Sequence, residues 1–435
     1  MIDIAALYRQ IDPLRPLEAD EDDLYVDWQQ RLLPGDDVKS RLVGSLIRSA
    51  SSGYPVTRLL TGHRGSGKTT ELNRVRRALQ SGAAGRKVFV SRLNAQMWLD
   101  LDDLQVEDLM LQVVRQLASD LRAEGMRLVA NWYRGFFQSI LARMRGVSVE
   151  SMEVGIDPVR FSFTRKDFPS ERDQFRTLLR GQLPTVLDLV NTELLPEARR
   201  YLKTQGYEDL LLIVDDLDKM PKKLVDDRHT NHEQLFLDNS STLRAFNCSV
   251  LMTIPIDLAY SRAQGRLRAQ YGAAIATVPL VTVADRSGAP VGAGVEALVE
   301  VVGRRALAAG GGPGDPAACA AALFEDRELL LRLVRLSGGL LRELFVLLTE
   351  LLDRVDDLPV SRATVERYVP RAAFDLARGL FPADKEVLRQ VAATHEAAEE
   401  PRFFDLLRNH YVFAYEAGLD GYWYGLNPLL HEIAL

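Results

Sequence analysis

Residues 56–72 read VTRLLTGHRGSGKTTEL. A short β-rich run stops at Gly62, four residues intervene, Gly67-Lys68-Thr69 follows, and KTTELNRVRRALQ then has a helical pattern. Glycines at this spacing let the backbone curl so that successive N–H groups point at one phosphate. The helix opening at Lys68 adds the positive end of its dipole. Gly62, His63, Arg64, Gly65, Ser66, Gly67, Lys68, Thr69 and Thr70 are therefore expected to hold a nucleotide, with Lys68 on the β- and γ-phosphates and the Thr69 hydroxyl on Mg²⁺. Strand, loop and helix lead into a second apolar run, RKVFVSRLN (86–94), which begins a parallel α/β sheet.

Three more strands are predicted: DLLLIVDDLDK (209–219), CSVLMTIP (248–255) and AAIATVPLVTV (273–283). Helices are expected at 38–49, about 101–125 and 231–246. Between the second and third strands, about 126–208 reads as a mostly helical insertion with a hairpin near Gly155–Pro158. Its stretch NWYRGFFQSILARMRG (131–146) mixes Trp132, Tyr133, Phe136 and Phe137 with Arg134, Arg143 and Arg145, and is read as a core or partner-facing stripe more readily than as a strand- or lipid-binding one. The expected organisation is a lead-in and helix (1–49), a core (50–284), a helical lid (285–370) and a helix–hairpin module resembling a winged helix (371–435).

Asp215-Asp216 closes an apolar strand. Adjacent carboxylates at a buried strand end are costly unless a cation or hydrogen-bond donors compensate them. Asp215 is thus expected to hold Mg²⁺; the plain alternative is a pair of capping aspartates.

The loop Gly62–Thr69 together with LLLIVDDLD resembles the Walker A and Walker B motifs of additional-strand P-loop ATPases, the AAA+ and STAND groups and the related KAP-type ATPases. The resemblance spans about 24–350, with the winged-helix-like module after it. It implies a parallel five-stranded sheet in the order 5-1-4-3-2, a lid, ATP and Mg²⁺ as cofactors, and assembly into a homo-oligomer. It also implies roles: Asp216 or Asp218 as the catalytic acid, Thr253 at the γ-phosphate or attacking water, Arg342 as the lid arginine, Asn94 restraining the acid, and Tyr25 and Val26 covering adenine. One of Arg262, Arg266 and Arg268 would act on a neighbouring subunit. The family usually has glutamate where Asp216 stands. The shorter side chain must still come within hydrogen-bond reach of a water, so slow hydrolysis is expected.

The net charge of −6 gives no general attraction to nucleic acid. Residues 371–435 carry six Lys/Arg against ten Asp/Glu, a local −4. The best recognition-helix candidate, PRFFDLLRNH, offers only Arg402, Arg408 and His410, so nucleic acid is the less favoured partner. Tyr411, Phe413, Tyr415, Tyr422, Trp423 and Tyr424 read as hairpin packing. Two cysteines, Cys248 and Cys319, lack metal-ligand spacing. There is no signal-peptide pattern and no apolar run of ~20 residues, so a cytoplasmic protein without a membrane partner is expected. The reading that follows is an ATP-dependent conformational or assembly switch with a separate effector protein, in a defence or signalling setting. The rivals are a DNA-associated AAA+ ATPase of initiator, loader or transposition-regulator type, and a scaffold that binds nucleotide without hydrolysing it.

Overall fold

The computed structural model describes residues 2–126, 169–226, 229–310, 312–399, 401–416 and 421–433. The hairpin expected near Gly155–Pro158, the aromatic and basic stretch 131–146 and the turn at Gly418–Asp420 lie outside them.

Five strands form one sheet: β1 (Thr57–Thr61), β2 (Val88–Asn94), β3 (Asp209–Asp215), β4 (Ser249–Thr253) and β5 (Ala276–Thr277). Their order is β2-β3-β4-β1-β5, the 5-1-4-3-2 order implied by the motifs. β2 runs parallel to β3, β3 to β4 and β4 to β1. The apolar run 210–214 explains the central place of β3: residues 210–215 are all buried, as suits a parallel strand covered on both faces.

All five strands are shorter than expected, the third and fifth most of all. The third strand ends at Asp215 because Asp216 takes a left-handed conformation (φ 67°) and turns the chain. The fifth is two residues long. Pro279 has no N–H to give a ladder, Val278 N donates to Thr61 O, and Val281 N donates to Gly339 O. The helix expected over 231–246 is broken into Asn231–Glu233, a π-turn Gln234–Asp238 and Ser240–Leu243. There the backbone N–H and side-chain amide of Asn239 both donate to Gln234 O, and Tyr271 Oη donates to Phe236 O.

The chain divides into two compact units, which are described separately. One comprises 42–60 and 75–276. Its core contains Leu109, Val113, Leu117 and Leu121 of helix Val106–Ala123, which packs on β2 and β3. The other comprises 1–41, 61–74 and 277–435. Here Leu7, Ile11, Val26 and Trp28 share a core with helices Gly292–Ala308, Arg327–Leu336, Leu341–Leu352 and Arg362–Ala377. Helices Pro382–Thr394 and Pro401–Arg408 pack with an antiparallel hairpin, β6 (Val412–Glu416) and β7 (Tyr422–Leu426). This is the expected helix–helix–hairpin module. Some aromatics pack within it: Tyr415 stacks on Trp423 at 4.2 Å, and Phe403 meets Tyr424 edge-on at 5.0 Å. Phe413 and Tyr415 also pack outward on Leu280 and Leu340, and Tyr422 is exposed, so the reading of all six as hairpin packing holds only in part. Among the described residues, no helix is long and apolar enough to cross a membrane.

Candidate functional site

The loop after β1 has the backbone its glycines permit. Gly62, Gly65 and Gly67 have φ of 147°, 89° and 98°, and the helix Lys68–Gln80 opens directly after them. A Cβ on Gly65 would lie 2.3 Å from Arg342 Cβ. The close approach is real contact, because Arg342 N donates to Gly65 O at 3.3 Å. Lys68 is buried, and its Nζ donates to Gly62 O and His63 O, both at 2.9 Å, which braces the curl. Arg342, placed by sequence at the start of a lid helix, is the second residue of Leu341–Leu352, and its Nε donates to Pro13 O.

His63 is a further loop contact for which the motif spacing holds no signal. Its Nε2 accepts the N–H of Ala414 on β6 at 2.9 Å. That fixes the ring proton on Nδ1, which is buried and finds no hydrogen-bond partner among the described residues. The ring also meets Phe413 and His410 edge-on, at 5.4 and 5.8 Å. Burial, with His410 and Lys68 nearby, holds His63 well below the ordinary histidine range. Burial and the charges of Arg342, Lys68 and Arg64 push His410 down to about 3. His410 as a whole is only half-buried, yet its Nε2 is sealed from solvent, and the ring nitrogen is what titrates.

A pH dependence follows. The unfolded chain takes up a proton on His410 below about pH 6.5, whereas the fold resists it down to about 3. This group leaves stability intact above about pH 6.5 and erodes it as pH falls, by about 2 kcal/mol at pH 5. Asn tolerates the left-handed backbone of His410 (φ 65°). His410→Asn is therefore expected to lose about 2 kcal/mol less than the parent between pH 7 and 5 in urea unfolding. Parallel stability curves for the two proteins would refute the assignment.

The segment before the sheet lies against the same helix. Leu17 N donates to Thr70 Oγ1, and Tyr25 Oη donates to Glu71 Oε1 at 2.8 Å. The Arg74 guanidinium covers the Tyr25 ring at 3.5 Å, so this ring is already stacked on one face. Val26 is buried, and Thr69 is half-buried. Burial raises the Glu71 carboxyl to about 7, with the Tyr25 hydrogen bond and Arg74 pulling the other way.

In the other unit, β3 ends in three buried carboxylates, Asp215, Asp216 and Asp218, each with an oxygen within 4.8 Å of the others. They are hard oxygen donors of the type Mg²⁺ takes, so this donor set fits that ion. Asp215 is fully buried; Oδ1 accepts Asp216 N at 2.8 Å and Oδ2 accepts Arg92 Nη2 at 2.7 Å. Burial pushes its carboxyl up, with Arg92 opposing and Asp216 and Asp218 adding to the rise. Asp216 pairs with Lys219 Nζ at 2.9 Å. Thr253, buried at the end of β4, accepts Leu217 N at 3.0 Å and so ties the turn after Asp216 to the neighbouring strand.

Asn94 lies opposite Asp215 in the ladder, but its side-chain oxygen caps helix Ala95–Trp98 by accepting Met97 N. Arg262, Arg266 and Arg268 are exposed, and Arg266 sits 3.9 Å from Asp238.

No family model matches the chain, and no curated protein matches it. Solved structures similar to it include ORC2 of Aeropyrum pernix, described as ADPNP–ADP complexes (13% identity, 98% of this chain and 96% of that one, TM-score 0.42). Others are ORC1 of Aeropyrum pernix in complex with DNA (14%, 94% and 94%, TM-score 0.37) and a Walker-type ATPase of Pyrococcus abyssi (15%, 97% and 98%, TM-score 0.42). Scores below 0.5 at such identities do not carry a function from one chain to another. The fold stands on the chain's own strand order and loop, which are those of a P-loop α/β core; nothing narrows it to a STAND or KAP type.

Proposed function

We propose that this protein is an ATP-binding P-loop ATPase that works as a nucleotide-dependent conformational switch and assembles with copies of itself. The observation that carries the reading is the glycine-built loop at the end of β1, with buried Lys68 at the start of its helix. Residues Gly62–Thr70 hold the phosphates. Thr69 and Asp215 hold Mg²⁺, whose charge would offset that of the β- and γ-phosphates. Asp216 or Asp218 orients the attacking water, and Thr253 keeps their turn against β4. Arg342 reads the nucleotide from the lid, and Tyr25 and Val26 flank the base. Asn94 restrains the acid from the end of β2 through its side-chain amide N–H, since its oxygen caps helix Ala95–Trp98. One of Arg262, Arg266 and Arg268 acts on the next subunit, and their exposure suits that role. A separate effector protein receives the change. Placement in a defence system gains no support from the fold, the site or the comparisons and is left out of the proposal.

A second reading, a DNA-associated ATPase, rests on the C-terminal helix–hairpin module. The similar solved structures lie on its side, without TM-scores that would carry it. Against it, helix Pro401–Arg408 buries Phe403, Leu406 and Leu407, and its Arg402 lies 3.4 Å from Asp384, so little positive charge remains to meet phosphate.

Phosphate release from ATP, with and without duplex or single-stranded DNA, tests both. The expected result is slow turnover, indifferent to DNA and lost in Lys68→Ala and Asp216→Ala. Turnover raised severalfold by DNA would move the assignment to the second reading. Tight ATP binding without any turnover would leave the scaffold.

A further inference from the structure

β2 reads VFVSRLN, and a charged residue inside a strand with this burial calls for a partner. Arg92 is aligned with Ile213 of β3, so a long side chain leaning forward along the strand reaches the level of Asp215. It makes that contact at 2.7 Å, with the Asp215 side chain 0% exposed and Arg92 16% exposed. The other Asp215 oxygen is engaged by Asp216 N. Lys219 lies on Asp216. Among the described residues, Arg92 thus meets Asp215 and Lys219 meets Asp216.

The Arg92 guanidinium brings a positive charge directly against Asp215. A divalent ion approaching Asp215 meets an oxygen that already accepts a charge-assisted hydrogen bond, and a like charge close by. We propose that Arg92 is a built-in competitor of Mg²⁺ at Asp215: it holds the buried carboxylate in place and raises the Mg²⁺ concentration that the nucleotide site requires. The inference rests on the ATP–Mg²⁺ reading above. Arg92 acts through Asp215 and is a positioning residue.

The test uses the full chain and a fluorescent ADP carrying a methylanthraniloyl group, titrated with Mg²⁺ at fixed nucleotide. Arg92→Gln is expected to lower the half-saturating Mg²⁺ concentration about tenfold, the effect of removing one nearby charge worth about 1.4 kcal/mol. Arg92→Lys, which keeps the charge, shifts it far less. Binding of the labelled ADP in EDTA stays unchanged. A second readout needs no nucleotide: Arg92→Gln melts below the parent in EDTA and recovers with Mg²⁺, whereas the parent does not respond. An unchanged or higher Mg²⁺ requirement in Arg92→Gln overturns the proposal and leaves Arg92 a structural pair. If Arg92→Gln does not fold in EDTA, Arg92→Met is read in the same way, and failure of both to recover with Mg²⁺ also overturns it. Failure of the underlying reading looks different: the parent then binds no labelled ADP with or without Mg²⁺.

Discussion

Lys68→Ala is expected to weaken ATP binding by about 10- to 100-fold and to remove turnover. Lys68 is the only cation of the motif at the first helical position, and a hydrogen bond from a charged donor to phosphate is worth about 1.5–3 kcal/mol, with tenfold in affinity for each 1.4. The same substitution also removes the two 2.9 Å bonds to Gly62 and His63 carbonyls. A lowered melting temperature should therefore accompany the lost affinity. Equilibrium binding of labelled ADP, read beside a thermal melt, separates the two effects. Affinity within threefold of the parent would remove Lys68 from the phosphates and with it the case for this loop.

The second large effect lies just before helix Leu341–Leu352. Gly339 has φ 83°, and a Cβ there would lie 1.7 Å from the backbone oxygen of Val281. That oxygen cannot give way as a flexible side chain does, because Val281 N donates to Gly339 O and holds the segments together. Gly339→Ala is expected to cost about 4 kcal/mol or more in urea unfolding, the range reserved for a named steric failure. Gly272 provides the control. It too is left-handed (φ 67°), but nothing lies within 4 Å of its Cβ position. Gly272→Ala should cost only about 1 kcal/mol, the backbone penalty alone. Equal losses in the two variants would show that conformation rather than collision governs both sites.

The sheet was legible because its strands are apolar runs next to a motif with a known strand–loop–helix setting. Runs such as 210–214 have few other uses, and the motif resemblance supplied their order. The expectation for β5 exceeded its two residues because Val278 and Val281 look like strand residues, while Pro279 and the loop before residue 341 divert them. The break at Asn239 was hidden in an ordinary helical pattern. Within the candidate site, Gly62–Thr69 are proposed from spacing and Asp215 from its place at the end of an apolar strand. The partners of His63 and Arg92 could not be named this way. Those contacts join residues 351 and 123 positions apart, and no local periodicity encodes a pairing made only when the chain is folded.

The partnership of His63 with Ala414 also sets a timetable for synthesis. Residues 42–60 and 75–276, which belong to the other unit, have all been made well before residue 414. The phosphate loop belongs instead with both outer parts of the chain. His63 waits for residue 414, the Tyr8 hydroxyl waits for Asp353, and Arg31 waits for Glu300. At about 5–20 residues per second, tens of seconds of translation separate the loop's emergence from its last contact. During that interval the loop lacks its His63 anchor. Nascent chains halted at about residue 400 should then differ from the finished protein in how they respond to ATP.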